Sequence, residues 1–270
     1  ADDVNRVANK YLDLDSRTLY ALVPGDAVPV KNGTKVSYAS TSIEKIEFSN
    51  GLKVLLKEDH RLPFVQMRAM FQGGVLSEKI ANCGITQLMA KLLVKGTTRQ
   101  TGQQIAEEIE SVGGGIDAYG GNNSFGVTLE VMSDDRILGV NMLADVLHNP
   151  SFPGEALERQ REVQLAALRA QDDKLLQKTF RLMRENLFGG HGYGLDALGT
   201  QDSVANLDLG SVTGLHKQLA VPNNSVIAIF GDIKISEIRS ELERAFGLWT
   251  EGSQFKVPNL LYGTDGIRRV

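Results

Sequence analysis

The side chains that could bind a metal or act as a nucleophile are few in this 270-residue chain and lie far apart in sequence. The four histidines are His60, His148, His191 and His216. No two of them are three or four residues apart, the spacing that places two imidazoles on one face of a helix where they can share a zinc ion. The histidines therefore predict no metal site.

Each of these side chains has an ordinary structural interpretation. His60 follows a strand in a charged loop and is expected in solvent, His148 is next to a helix end where an imidazolium would be favourable, and His191 is assigned to a structural turn. His216 is expected on a helix surface. Cys83 is the only cysteine, which excludes an internal disulfide, and no histidine stands near it in sequence, so it is predicted to be a small packed residue.

Composition and charge limit the class of protein. A hydrophobic fraction of 42% supplies enough material for a sizeable core. The net charge of -4 and the scattered basic residues argue against a nucleic-acid partner held by phosphate contacts. No apolar run approaches the roughly 20 residues of a membrane-spanning helix.

The hydrophobic pattern predicts hairpins and paired helices without strict βαβ alternation. This order predicts an α+β fold: one mixed, largely antiparallel sheet with helices packed on one face. Residues 64–72 have apolar side chains at both parities and are predicted to form a buried central strand. Strands are predicted at residues 43–48, 52–57, 64–72, 116–119, 124–132 and 225–230, and helices at residues 84–97, 101–112, 134–147, 155–170, 175–187, 208–219 and 236–246, the last with Ser236 as its cap.

The chain is predicted to have three parts. Residues 1–42, with a short helix at 4–12 and a strand at 17–23, are interpreted as the tail of a preceding unit plus a linker. Residues 43–252 form the main domain, and residues 253–270 are an extension towards a following domain. The acidic start has neither a basic segment nor an apolar signal core, so the chain is expected to be cut from a longer polypeptide, with any targeting signal outside it.

A series of short motifs along residues 43–252 resembles the pitrilysin or insulinase type of zinc metallopeptidases, which includes the mitochondrial processing peptidases. Residues 1–26 are also similar to the tail of the preceding unit in bacterial members built from tandem repeats. In chain order, the motifs are Asn50-Gly51-Leu52-Lys53-Val54, Gly73-Gly74, residues 84–97, Gly113-Gly114-Gly115-Ile116-Asp117-Ala118, Asp145-Val146-Leu147 with Pro150-Ser151-Phe152, Arg161-Glu162-Val163, His191-Gly192-Tyr193-Gly194 with Gly199-Thr200, and Pro222-Asn223-Asn224 with Gly231-Asp232.

The resemblance implies where a zinc site would lie. In the family, a His-x-x-Glu-His helix supplies two zinc ligands and a general base, and a distant Glu completes the metal shell. The corresponding positions here are Gln87, Ala90, Lys91 and Ala167. An amide is a poor zinc ligand, the two alanines have no donor atom, and an ammonium repels a dication. We therefore expect no catalytic residue, no metal and no cofactor in this domain, with zinc held only by a partner unit.

The resemblance also implies a function without catalysis. The family encloses a peptide between paired units, and its strand corresponding to residues 116–119 pairs with the substrate backbone. Asp117, Ala118 and Tyr119 are thus the predicted substrate contacts. The predicted function is a non-catalytic, peptidase-like domain that completes the substrate chamber of a zinc metalloendopeptidase. Its expected partners are other peptidase units of the same chain or a homologous subunit, together with unfolded peptide. Periplasmic placement is an expectation from bacterial relatives.

Two other interpretations remain open at this stage. The first is that the strand edge is simply covered by a neighbour, with which it is equally compatible. The second is a purely structural assembly subunit similar to the core proteins of respiratory complexes. Such a subunit would have a large apolar partner surface and no peptide affinity. Activity of the domain by itself would need a metal site that the sequence does not show.

Overall fold

A computed structural model describes residues 42–257 and Arg6, which is helical. The chain divides into two units, Ala1–Ser40 and Thr41–Val270. The strand predicted at residues 17–23 and, apart from Arg6, the helix predicted at residues 4–12 lie outside the described residues. The three-part division of the chain therefore stays a prediction.

The described residues contain one six-stranded sheet and eight α-helices. The strands are β1 (Glu44–Glu47), β2 (Lys53–Glu58), β3 (Phe64–Gln72), β4 (Gly115–Gly120), β5 (Ser124–Met132) and β6 (Ser225–Gly231). The helices are α1 (Ile85–Leu93), α2 (Gly102–Ser111), α3 (Arg136–His148), α4 (Gly154–Asp172), α5 (Leu175–Phe188), α6 (Gln201–Ala205), α7 (Leu209–Leu219) and α8 (Ile235–Phe246).

The strand order is β1-β2-β6-β3-β5-β4, which places β4 at one edge of the sheet. Every neighbouring pair is antiparallel except β2 with β6. The predicted class, a mixed and largely antiparallel sheet with helices on one face, is confirmed. The Asn50-Gly51 turn between β1 and β2 is formed as predicted, with Gly51 at a φ of 76°.

β3 is central, as predicted, but only one of its faces is buried. Val65, Met67 and Ala69 are fully buried, whereas Arg68 and Met70 alternate with them and are exposed. The expectation of burial on both faces is wrong because the helices cover a single face of the sheet. The opposite face is called the open face below.

The core lies between the sheet and the helix layer. α1 is its centre, since Leu88, Met89, Leu92 and Leu93 are buried as predicted. Phe71 of β3 and Phe125 of β5 stack with ring centroids 4.9 Å apart and bind the sheet to this core.

Some local expectations differ from the structure. α1 ends at Leu93, short of residue 97, and α8 begins at Ile235 after Lys234, so Ser236 is not its cap. The five-residue α6 was not predicted, because it is too short for a hydrophobic period and depends on the capping box of Thr200 and Ser203. None of the described helices is long and apolar enough to cross a membrane.

Candidate functional site

A buried carboxylate holds the start of α1. Glu78, which is 6% exposed, accepts hydrogen bonds from the backbone N–H groups of Gly84 at 2.8 Å and Thr86 at 2.9 Å. An acceptor at this position satisfies N–H groups that a helix start leaves free. Burial raises the pKa of Glu78 to about 7, although these hydrogen bonds act in the opposite direction. Glu78 is not among the predicted site residues; its signal in the sequence is a carboxylate shortly before a helix whose first turn has no acidic residue.

The two positions of α1 at which the resemblance predicts zinc-binding histidines contact the edge strand. All residues of α1 are buried except Gln87 and Lys91, which are one helical turn apart. The Gln87 Oε1 atom accepts a hydrogen bond from the Gly120 N–H group at 3.1 Å, and the Lys91 Nζ atom donates to the Asp117 Oδ1 atom at 2.9 Å. The structure thus brings Gln87 to the C-terminal end of β4 and Lys91 to its middle.

The remaining motif positions lie on α1 and α4. Ala90 is fully buried, and Ala167 is partly buried on α4. α4 is joined to the start of α1 by Gln164, whose Nε2 atom donates to the Gly84 carbonyl oxygen at 3.0 Å, and Ala167 is three residues further along that helix. Helices carrying all four positions are therefore neighbours in the fold.

These residues do not fit a zinc ion. The amide oxygen of Gln87 already accepts a backbone hydrogen bond, Lys91 is a cation bound to Asp117, and the two alanines have no donor atom. Within residues 42–257, no three His, Cys, Asp or Glu side chains come together in a metal-binding group. Gln87, Ala90, Lys91 and Ala167 therefore provide neither zinc ligands nor a base for water.

Backbone groups of β4 point in two directions. The Gly121 N–H group donates to the Ser124 carbonyl oxygen at 2.8 Å, which makes these residues a hydrogen-bonded pair. Hydrogen-bonded pairs alternate along an antiparallel ladder, so Tyr119 and Asp117 bond to β5. Ile116, Ala118 and Gly120 then direct their N–H and C=O groups away from β5. The bond from the Gly120 N–H group to Gln87 agrees with this assignment.

The predicted substrate contacts all lie on this strand. The Ala118 side chain faces the helix layer and is 1% exposed. Asp117 and Tyr119 lie on the open face, where the Arg68 guanidinium stands 5.1 Å from the centre of the Tyr119 ring. Within the described part of the chain, no strand pairs with the outer side of β4. Substrate binding by these three residues stays a prediction.

Two histidine predictions are wrong. His216 is buried, with its Nε2 atom 3.0 Å from the Leu147 carbonyl oxygen, because α7 turns this face towards the core. His148 packs 4.6 Å from the Trp249 ring centre and is neutral at pH 7, since burial lowers its pKa to about 4. Burial also lowers the pKa of His216 to about 4. The expected surface position and favoured imidazolium are therefore absent.

The predictions for His60, His191 and Cys83 are confirmed. His60 is exposed in its loop, with its Nδ1 atom 2.6 Å from the Asp232 Oδ1 atom. His191 is exposed and precedes a short 3₁₀ turn. Cys83 is 1% exposed, and its Sγ atom lies 3.2 Å from the Ser203 Oγ atom, as expected of a packed side chain.

Comparison with known proteins identifies the family. Residues 53–201 match the family described as insulinase (peptidase family M16), and the chain belongs to that family. The mitochondrial-processing peptidase subunit beta of Blastocladiella emersonii is 24% identical over 221 residues, which are 82% of this chain and 47% of that protein. The mitochondrial cytochrome b-c1 complex subunit 1 of Caenorhabditis elegans is 24% identical over 242 residues, 90% of this chain and 50% of that one.

Solved structures confirm the fold. The crystal structure described as a peptidase M16 inactive domain from Pseudomonas fluorescens superposes with a TM-score of 0.76 at 22% identity, covering 82% of this chain and 54% of that chain. The chain spans about half the length of the curated relatives it matches.

Proposed function

We propose that this chain is a non-catalytic peptidase-like domain that helps to enclose a peptide and binds it along the edge of β4, while a partner unit supplies the zinc site. One observation carries the proposal. The helix positions that would hold zinc in an active member contact β4 instead, and β4 keeps an outer edge that no described strand covers. These contacts support a role in backbone recognition without catalysis.

Peptide binding at such an edge requires only main-chain groups. Ile116 and Ala118 offer their N–H and C=O groups outward, so an extended segment can add to the sheet as a further strand. Hydrogen bonds of this type are independent of the peptide's sequence. Because no catalytic side chain takes part, affinity for unfolded peptide is compatible with Gln87, Ala90 and Lys91 standing where the family has its zinc ligands and base.

The need for a partner is supported by α5, which has no buried residue. Leu176, Phe180, Met183 and Leu187 recur at helical spacing and are between 51% and 75% exposed. The helix is held to the domain by Arg181, which pairs with Asp172 at 2.6 Å. A continuous apolar stripe on the surface marks a contact site for another protein or ligand. A second peptidase unit could cover this stripe. The matched relatives are about twice as long as this chain and so have room for such a unit.

The same stripe favours a second candidate function, a purely structural assembly subunit. One matched relative is named as a subunit of the cytochrome b-c1 complex. In this case the apolar surface would be used for assembly alone, and the edge of β4 would be covered by a neighbour. The two candidates differ in one measurable property, affinity for peptide.

A titration of a fluorescein-labelled, unstructured peptide distinguishes them. Saturable binding to the 270-residue chain is expected, and Ala118→Pro should weaken it, because proline removes an outward N–H donor while a strand edge tolerates proline. Circular dichroism and thermal melting should show that the variant keeps its fold. No saturable signal at millimolar concentration would reject peptide binding in favour of assembly. Stoichiometric zinc by elemental analysis, with hydrolysis of a denatured protein substrate, would overturn the non-catalytic assignment.

A further inference from the structure

The Lys91 side chain extends from the helix layer, around the free outer edge of β4, to the open face of the sheet. Lys91 belongs to α1, in the helix layer that covers Ala118. Asp117 precedes Ala118 and faces the opposite way, onto the open face, where its side chain is 71% exposed. β5 closes the inner side of β4. The 2.9 Å contact between the Lys91 Nζ atom and the Asp117 Oδ1 atom can therefore form only if the lysine passes around the outer edge.

The other end of this edge is closed by α1 itself. The Gly120 N–H group, which points outward, donates to the Gln87 Oε1 atom at 3.1 Å. A Cβ atom added at Gly120 would lie 2.7 Å from the Gln87 Cα atom, so the helix backbone is directly against the strand there. The outward groups left to an incoming strand are those of Ile116 and Ala118, and Lys91 crosses beside them.

We propose that the Lys91–Asp117 ion pair is a strap across the outer edge of β4, which keeps Ile116 and Ala118 from pairing with another strand until the ion pair opens. In the family this position of the helix holds a zinc-binding histidine. Here its lysine cation joins α1 to the edge strand. Charged side chains, lysine above all, are a known means of protecting sheet edges from unwanted pairing. The role of peptide as the competing strand rests on the proposed function; the strap itself does not.

The ion pair is weak enough to break readily. Both side chains are partly exposed, at 34% for Lys91 and 71% for Asp117, and exposed pairs of this kind are weak. Removing such a pair should change an equilibrium by about two- to fivefold. The strap would thus lower peptide affinity without abolishing it.

Peptide titration of matched variants tests the strap. Lys91→Ala should tighten binding about two- to fivefold, and in an Asp117→Ala background, where its partner is gone, the same substitution should have no further effect. Asp117→Ala by itself also removes the contact of this carboxylate with the Ala118 N–H group, so Lys91→Ala is the variant that isolates the ion pair. Lys95→Ala is the control, because Lys95 is exposed just after the end of α1 and acts on Asp117 through its charge without a hydrogen bond. Binding that is unchanged or weaker in Lys91→Ala, while the wild-type chain binds, would overturn the proposal.

Sedimentation velocity separates the strap from the proposed function. An unprotected edge pairs with other edges, so Lys91→Ala should self-associate about two- to fivefold more tightly than the wild-type chain, and Lys95→Ala should not. Adding Ala118→Pro to Lys91→Ala should reverse the increase. If no variant binds peptide but this pattern appears, the proposed function fails and the strap stands. Equal sedimentation of Lys91→Ala and the wild-type chain, with no tightening of peptide binding, would reject the strap.

Discussion

Glu78 accepts a 2.9 Å hydrogen bond from the backbone N–H group of Thr86, and this contact ties the start of α1 to a carboxylate that solvent barely reaches. Because burial raises its pKa from 4.5 to about 7, the folded chain binds a proton that the unfolded chain releases between these values. Stability from this proton is fully present below pH 4.5 and is lost as the pH rises through about 7. The effect is on the order of 3 kcal/mol.

Glu78→Gln should remove this dependence while keeping one acceptor for α1. Urea unfolding at closely spaced pH values should therefore show that the wild-type chain loses stability relative to Glu78→Gln between pH 4.5 and pH 7. A difference that does not vary with pH would show that Glu78 titrates normally in the folded chain.

The buried histidines should act in the opposite direction. His148 and His216 have a folded-state pKa of about 4 against 6.5 when free, so the unfolded chain binds protons first as the pH falls. Stability should therefore decline from pH 6.5 towards pH 4. His148→Phe should reduce this decline, because phenylalanine does not bind a proton. The substitution costs no hydrogen bond at the buried Nε2 atom of His148, which has no partner. His60→Gln is the control: His60 is exposed and its pKa is raised, so its removal should not protect against acid.

Gly120 should be far less tolerant of substitution than Gly115 on the same strand. A Cβ atom at Gly120 would meet the Gln87 backbone at 2.7 Å, whereas one at Gly115 would meet nothing within 4 Å. Gly120→Ala should cost about 1–3 kcal/mol through displacement of α1, and Gly115→Ala should be neutral or slightly stabilising. Equal effects on the free energy of unfolding would contradict the close approach of α1 and β4.

The apolar stripe of α5 should contribute little to the stability of the domain. Phe180 is 58% exposed, so Phe180→Ser is expected to change the free energy of unfolding by less than about 0.5 kcal/mol. Phe125→Ala in the core should cost about 3–5 kcal/mol. A large loss of stability from Phe180→Ser would mean that α5 packs its apolar side against this same domain rather than presenting it to a partner.

Introducing the family's zinc ligands and base should create a metal site. The combined substitutions Gln87→His, Ala90→Glu, Lys91→His and Ala167→Glu place two imidazoles one turn apart on α1 and a carboxylate on the adjoining α4. We expect stoichiometric zinc by elemental analysis and a rise in melting temperature on zinc addition. The same protein with Ala167 retained is the control and should bind zinc more weakly. Absence of zinc from the full variant would show that α4 does not approach α1 as a ligand helix must.

Sequence reasoning succeeded where a residue's role depends on neighbours in the chain. The turn at Gly51, the apolar side of α1 and the outward edge of β4 follow from local spacing or from the resemblance. It failed where the role depends on distant contacts. The helical spacing of His216 predicts a surface position, and only its contact with Leu147 of α3 shows that it is buried. Glu78 has no distinguishing feature in the sequence, and only its hydrogen bond from Thr86 shows its role. The reach of Lys91 around β4 to Asp117 has no local signal, since these residues are 26 positions apart.

The last of the described strands in chain order, β6, joins the two parts of the sheet. β1 and β2 pair with each other, β3 pairs with β5 and β5 with β4, and only β6 lies between these two groups. Until Ser225–Gly231 has been synthesised, β2 and β3 each lack the neighbour with which they pair in the folded sheet. The two groups of strands can therefore form one sheet only after β6 has been made.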